Sequence, residues 1–311
     1  MRIFLAGATG AIGRRLLPLL RRAGHEVTGM TRSETRAEEL RAEGVEPVVG
    51  DALDADRLRT VVAEARPEVV VHQLTQIPLD YNPRKHAKQF EMTDRLRSEG
   101  TPNLARAAVE AGARRIVSQS IAFAYPSAGS RVKAEDDPLN LGADEPWRRS
   151  VHALRDLEDA TMNTEGLEGV VLRYGFFYGP GTGYAADGVL GEMIRRRRFP
   201  IVGDGTGVHS FIHIDDAAGA TVKALDGPPG IYNVVDDEPA QVATWLPELA
   251  DALGAKPPRR VPRFIGRLAG GRRAVDVMNE QRGASNAKAR AELGWEPRYP
   301  SWRQGFREGL G

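Results

Sequence analysis

The sequence predicts an α/β fold: a doubly wound parallel sheet with a smaller C-terminal lobe assembled after about residue 175. Short apolar runs (Ile3-Phe4-Leu5, Val27 to Met30, Val45 to Val49) alternate with stretches of helical spacing, as strands joined by crossover helices do. The first run enters a helix directly through Gly7, Gly10 and Gly13. The length of 311 residues suits one large α/β domain with an appendage, divided here as 1–175 and 176–311, with segments of the second part returning to the sheet.

Composition narrows the function classes. With 43 basic and 42 acidic residues the net charge is +1, so no nucleic-acid partner is expected. The absence of cysteine excludes disulfides, thiolate metal sites and cysteine nucleophiles, and no metal is expected. Apolar runs stay short of membrane-spanning length, and Met1 leads straight into a strand, leaving no room for a signal peptide. A cytoplasmic protein without membrane contact is the expectation, and the abundance of Arg, Ala and Gly points to a GC-rich bacterial source.

In the turn Gly7 to Gly13, the first glycine permits a tight turn, the second lets backbone approach a pyrophosphate, and the third lets helix pack on strand. Phosphate would meet the free N–H groups at the helix N-terminus. Gly7, Thr9, Gly10, Ala11, Ile12 and Gly13 are therefore candidate contacts of a dinucleotide in a Rossmann-type domain. The G-x-x-G-x-x-G spacing resembles that of extended and atypical short-chain dehydrogenase/reductases, the NAD-dependent epimerase/dehydratase family.

The second strand ends at Thr31-Arg32-Ser33. A carboxylate at such a strand end holds the ribose hydroxyls of NAD, whereas an Arg accommodates the 2′-phosphate of NADP. Here the acidic position falls on Thr31 and Arg32 follows, so NADP(H) is the expected cofactor. Helix Glu34 to Glu43 and strand Val45 to Val49 lead to Gly50-Asp51-Ala52. The resemblance implies adenine contact at Asp51 and Ala52, while Asp51 or Asp54 also serves as a candidate N-cap of helix Ala55 to Ala65. After strand Glu68 to His72, the resemblance sets Leu74 and Thr75 against the cofactor ribose, and His72 reads as a packed, hydrogen-bonded histidine. Residues Pro83 to Gly112 read as a polar helical region, with Arg97 where relatives carry Asn. Relatives commonly dimerise through this region and the next long helix. The polar face weakens that expectation and leaves a homodimer open.

The run Ile116 to Tyr125 resembles the family's serine-bearing strand end followed by tyrosine. Ser120 aligns with the functional serine, which would polarise a substrate oxygen, with Ser118 as runner-up. The family's proton donor is a Tyr four residues before a Lys, one helical turn apart on one face. In Pro146 to Glu158, anchoring on Glu158, those positions hold Ser150 and Leu154. The one literal Y-x-x-x-K, Tyr81 to Lys85, contains Pro83 and follows the fourth strand, so it reads as a chance match. Tyr125, His152 or Tyr81 could replace the donor, and Arg148 or Arg155 the charge.

Strand Val170 to Arg173 runs into Tyr174 to Gly181, which resembles the segment lying against the nicotinamide and nominates Tyr174 and Phe176. Helix Asp187 to Arg198 ends in four arginines, read as a solvated face. Val202 to Asp216 resembles the substrate lobe of extended members, with an Asp pair opening helix Ala217 to Leu225. Relatives acting on nucleotide sugars hold the diphosphate with an Arg where His209 stands, and a largely neutral His is a poor substitute. Lys256 to Arg273 reads as a Pro- and Arg-rich connector.

The expected function is an NADPH-dependent reduction of a carbonyl on a non-nucleotide small molecule, of a kind met in secondary metabolism. Ser120 would polarise the oxygen, and Tyr125, His152 or solvent would give the proton. The alternatives are non-redox isomerase, cyclase or epimerase chemistry on a retained cofactor, and a non-catalytic NADP sensor. Ile121 and Ala122, where dehydratases place acids, argue against dehydration.

Overall fold

The computed structural model describes residues 1–78 and 82–311. Tyr81, and with it the chance Y-x-x-x-K, lies outside the described residues.

Seven strands form one parallel sheet: β1 (Arg2–Ala6), β2 (Glu26–Thr31), β3 (Glu46–Val49), β4 (Val69–His72), β5 (Arg115–Ile121), β6 (Glu168–Tyr174) and β7 (Gly230–Val234). Their order is β3-β2-β1-β4-β5-β6-β7, so the winding reverses between β1 and β4. A crevice opens at such a reversal beyond the carboxyl ends of the strands. Strand β7 comes from the second half of the chain and pairs with β6 in parallel register, Tyr232 opposite Leu172.

The strands are buried on both faces, as parallel sheets require. Ile3, Leu5, Val71, Val117 and Leu172 pack under α1 (Ala11–Arg22) and α8 (Ile214–Ala224). Phe4, Ala6, Val70 and Ile116 face α3 (Ala55–Ala65) and α5 (Thr101–Glu110). Helix α2 (Glu34–Ala42) covers the β2–β3 edge, and α6 (Trp147–Asn163) packs on β5 and β6. The C-terminal lobe has its own core of Phe211, Trp245, Leu249, Trp302 and Phe306. It is built from α7 (Val189–Arg195), α9 (Val242–Ala252), α10 (Arg263–Asn279), α12 (Trp302–Glu308) and a short parallel pair, Phe176–Tyr178 with Phe211–His213, whereas α11 (Ala287–Leu293) packs with Ala289 and Leu293 in the sheet core beside α8.

Three stretches differ from expectation. The polar region after Pro83 is α4 (His86–Arg95) joined to α5 through a π-helical turn, Leu96–Gly100. Pro102 has no N–H for the Ser98 carbonyl four residues back, and the Thr101 hydroxyl donates to Leu96 O at 3.3 Å. The supposed connector at Lys256 to Arg273 is largely helix, because α10 starts at Arg263 and continues past a non-helical Gly271 with φ 77°. Helix α7 stops at Arg195, so three of the four arginines lie beyond it. Among the described residues no helix is long and apolar enough to cross a membrane.

Candidate active site

The glycine turn between β1 and α1 has the dimensions of a phosphate cradle. Gly7 has φ +95°, and a Cβ there would lie 2.8 Å from the Gln73 carbonyl. A Cβ at Gly13 would lie 2.3 Å from the Gly7 carbonyl, so both glycines serve the protein's own packing. Gly10 is exposed, and its Cβ would meet only the Gly7 carbonyl at 3.2 Å. Little inside the protein requires glycine there, whereas an approaching ligand does. Gly10 caps α1 without a side-chain bond and the first turn holds no acid, so the N–H groups of Ala11, Ile12 and Gly13 remain for an anion. Thr9 is half-buried beside them. These residues fit a dinucleotide pyrophosphate.

Thr31 is buried at the end of β2, while Arg32 is exposed and donates from Nη2 to Gln76 Oε1 at 3.1 Å. No carboxylate pairs with Arg32 among the described residues. Of the two candidate caps, Asp54 caps α3, accepting from Arg57 N at 3.0 Å. Asp51 accepts from Leu53 N at 2.9 Å and stays half-buried in the crevice, next to buried Ala52. Leu74 and Thr75 are half-buried beyond β4. His72 is the packed histidine expected: Nδ1 accepts from Leu74 N at 3.2 Å, and Nε2 donates to Thr101 Oγ1 at 2.9 Å. Burial, helped by the charge of Arg97, lowers its pKa to about 4.

Ser120 and Tyr125 are brought together in a buried network. The Ser120 hydroxyl, 0% exposed, donates to Glu158 Oε1 at 2.7 Å. Arg173 clasps that carboxylate with Nε and Nη2, at 2.8 and 2.7 Å, and its Nη1 donates to the Tyr125 hydroxyl at 2.9 Å. Tyr125 in turn donates to Asn233 Oδ1 at 2.8 Å. Burial opposes the Arg173 charge, but the hydrogen bond and charge of Glu158 outweigh it and raise the pKa further. Burial pushes the Tyr125 phenol up, only partly offset by Arg173, which makes it a weak acid at neutral pH. Ser118 accepts from Thr161 at 2.8 Å. His152 stands apart, its Nε2 3.3 Å from the Leu141 carbonyl. Arg148 and Arg155 pair with Glu145 and Asp156 away from the site.

At the two α6 positions where the sequence reading expected a Tyr and a Lys, the chain has a buried polar cluster at Ser150 and a buried apolar cluster at Leu154. Ser150 donates to Asp94 Oδ2 at 2.9 Å, and with that proton committed His86 Nε2 donates to Ser150 Oγ at 3.0 Å. Burial, with Arg273 and Arg97 nearby, lowers the His86 pKa to about 4, and burial raises that of Asp94. Arg97 is buried with Nη1 3.8 Å from Asp94 Oδ1, and burial lowers its pKa to about 10. Leu154 joins Ile121, Ala124, Trp147 and Val151 in an apolar cluster at the end of β5. Asp94, Arg173 and the clasp on Glu158 escaped the sequence reading, and Arg97 standing for Asn was the one signal available.

On the lobe side, the structure corrects the expectation for Tyr174. Its ring is fully buried in the sheet core and its hydroxyl lies 2.7 Å from Thr221 Oγ1, so the side chain packs against α8 rather than a ligand. Phe176 is half-buried, stacked on Phe123 at 4.2 Å and on His209 at 4.5 Å. His209 donates to the Val277 carbonyl at 3.1 Å and is 1% exposed, which leaves it unsuited to hold a diphosphate. The Asp pair sits in the first turn of α8, with Asp216 accepting from Arg298 N and Tyr299 N.

Residues 3–234 match the sequence profile of the NAD dependent epimerase/dehydratase family. The chain is 47% identical over 308 residues to a "3-diazoavenalumate denitrifying reductase" of Streptomyces sp, covering 98% of this chain and 99% of that one. It is 29% identical to a UDP-glucose 4-epimerase of Mycolicibacterium smegmatis, over 96% and 94% of the two chains. In structure it resembles a UDP-glucose 4-epimerase of Thermus thermophilus solved with NAD, with a TM-score of 0.76, 25% identity, and 100% and 98% of the two chains covered.

Proposed function

The chain belongs to the NAD dependent epimerase/dehydratase family, and from that premise we propose that it is an NADPH-dependent reductase of a diazo-bearing small molecule, removing the diazo group as dinitrogen. The observation that carries this is what stands at the α6 positions expected for a Tyr and a Lys: Leu154 is packed in a buried apolar cluster with Ile121, Ala124 and Val151, and Ser150 is held by Asp94, where a reduction of a carbonyl would need a donor and an acid. Carbonyl reduction places negative charge on oxygen and then a proton, so it calls for a hydrogen-bond donor and an acid. Leu154 offers neither, and the Ser120 and Ser150 hydroxyls are both committed to carboxylates.

When bound, the reduced nicotinamide supplies a hydride. At a carbon bearing a diazonium group, the new C–H bond takes the place of the C–N bond, whose electrons leave with dinitrogen. No proton enters and no oxyanion forms. This chain's residues would bind the pyrophosphate at Gly7 to Gly13 and hold the 2′-phosphate with Arg32. The identity to the denitrifying reductase over nearly the full length supports this substrate class.

Carbonyl reduction is the second reading, favoured by Ser120 and Tyr125 lying in one network at the end of β5. Anaerobic turnover of an aryl diazonium salt with C4-deuterated NADPH separates the two. The expected result is dinitrogen released in step with NADPH oxidation and deuterium on the ring carbon. Release no faster than without protein, or a ring carbon free of label, overturns the proposal, and label at the carbinol carbon of a ketone panel would install the second reading.

A further inference from the structure

Asp94 and Arg97 form a buried pair beside Ser150 of α6. Its position follows from helix direction. The segment from α4 to α5 runs back along the sheet, and Thr101 is level with His72, the last residue of β4, through their hydrogen bond. Arg97 lies one turn earlier, about 6 Å beyond the strand end, and Asp94 further still. On α6, Thr161 is level with Ser118 and Glu158 with Ser120. Ser150 therefore lies about 12 Å past Glu158, also beyond the sheet. Ser150, Asp94 and Arg97 thus meet in the layer where such sheets bind their ligands.

Two atoms there have no partner. The side chains of Arg97 and Asp94 are 3% and 8% exposed, yet Arg97 Nε–H and Asp94 Oδ1 make no hydrogen bond among the described residues. The two side chains pair through Arg97 Nη1 and Asp94 Oδ1 at 3.8 Å, an ion pair too long for a hydrogen bond. An unmet donor and an unmet acceptor on two paired side chains, both desolvated, are costly to leave open. A carboxylate would satisfy the guanidinium but face Asp94, and an ammonium would do the reverse. A hydroxyl satisfies both, accepting from one and donating to the other. We propose that Asp94 and Arg97 form a receptor for a ligand hydroxyl, supplied by a sugar of the cofactor or by a phenol or alcohol of the substrate.

The inference rests on the strand-end crevice of the proposed reductase but not on its reaction, so binding tests it. NADPH affinity is read by fluorescence, and 4-hydroxycinnamate is compared with cinnamate, its deoxy twin, by calorimetry on NADP⁺-loaded protein. Wild type, Arg97→Lys and Arg97→Gln are compared. If the substrate supplies the hydroxyl, the hydroxylated acid binds roughly ten- to a hundredfold tighter and Arg97→Gln erases the difference. If the cofactor supplies it, Arg97→Gln weakens NADPH by a similar factor, Arg97→Lys by less, and the two acids bind alike. A folded Arg97→Gln with unchanged NADPH affinity, and no hydroxyl preference in the wild type, overturns the receptor and leaves the gap to water. Should Arg97→Gln not fold, the wild-type preference and Arg97→Lys decide alone. Either binding pattern in a protein that leaves diazonium salts untouched sinks the proposed reaction and keeps the receptor.

Discussion

Arg32 and Glu158 show how differently two charged residues act according to burial. Arg32 is exposed and pairs with no carboxylate among the described residues, so the proposed interaction with a 2′-phosphate would be additional binding energy. Arg32→Ala should lower NADPH affinity about ten- to a hundredfold while leaving NADH nearly unchanged, as titration of both cofactors would reveal. Equal losses for the two would refute the phosphate role. Glu158 and Arg173 are sealed between α6 and β6, at 6% and 4% side-chain exposure. Removing one partner leaves the other charge buried and unpaired, so Glu158→Gln should cost about 3 to 5 kcal/mol in urea unfolding. Ser120→Ala, by contrast, should leave label transfer to a diazonium carbon largely intact, because its hydroxyl serves Glu158. A collapse of label transfer in that variant would return the chemistry to an oxygen polarised by Ser120.

At the scale of elements, the turn before α1 separates folding from binding. Gly13→Ala would drive a Cβ to 2.3 Å from the Gly7 carbonyl, whereas Gly10→Ala meets it at 3.2 Å. The first should disrupt α1 and lower thermal stability, and the second should fold while losing NADPH affinity. A Gly10→Ala protein that binds NADPH normally would contradict the cradle. The same turn was legible because three glycines between an apolar strand and an apolar helix leave few conformations open. Helix α10 was not legible, since Pro, Gly and Arg hide its periodicity and Gly271 breaks it. The π-helical turn was equally hidden, because it depends on Pro102 together with the Thr101 contact to His72 from another element.

For the whole molecule, burial of histidines sets an acid limit. His72, His86 and His209 fall from 6.5 to about 4, chiefly through burial. Each takes up a proton in the unfolded chain near 6.5 but in the fold only near 4, so the unfolded state binds more protons in between. Stability present above 6.5 is therefore lost as pH falls toward 4. Asp216 and Asp236, whose carboxyls burial pushes up, pull the other way as they take up protons. Urea midpoints should drop across this window, and the drop should shrink in His72→Gln with His209→Phe, which removes two titrations and keeps the aromatic stack. An unchanged slope in the double variant would mean that other groups set the limit.

The doubly wound sheet, the glycine turn, Arg32 at its strand end, and Ser150 and Leu154 at the positions expected for Tyr and Lys were legible in the sequence, because each is a local pattern of period, spacing or residue type. What surrounds Ser150 and Leu154 follows from tertiary packing. Leu154 acquires its meaning beside Ile121 and Val151, and Ser150 beside His86 and Asp94, which lie 64 and 56 positions away in the chain. Tyr174 and Ser120 read as site residues from their motifs, yet both point into the packed faces of the sheet. Whether a side chain ends in the crevice or beneath it depends on strand register and on the helix packed against it, and these are properties of distant segments brought together.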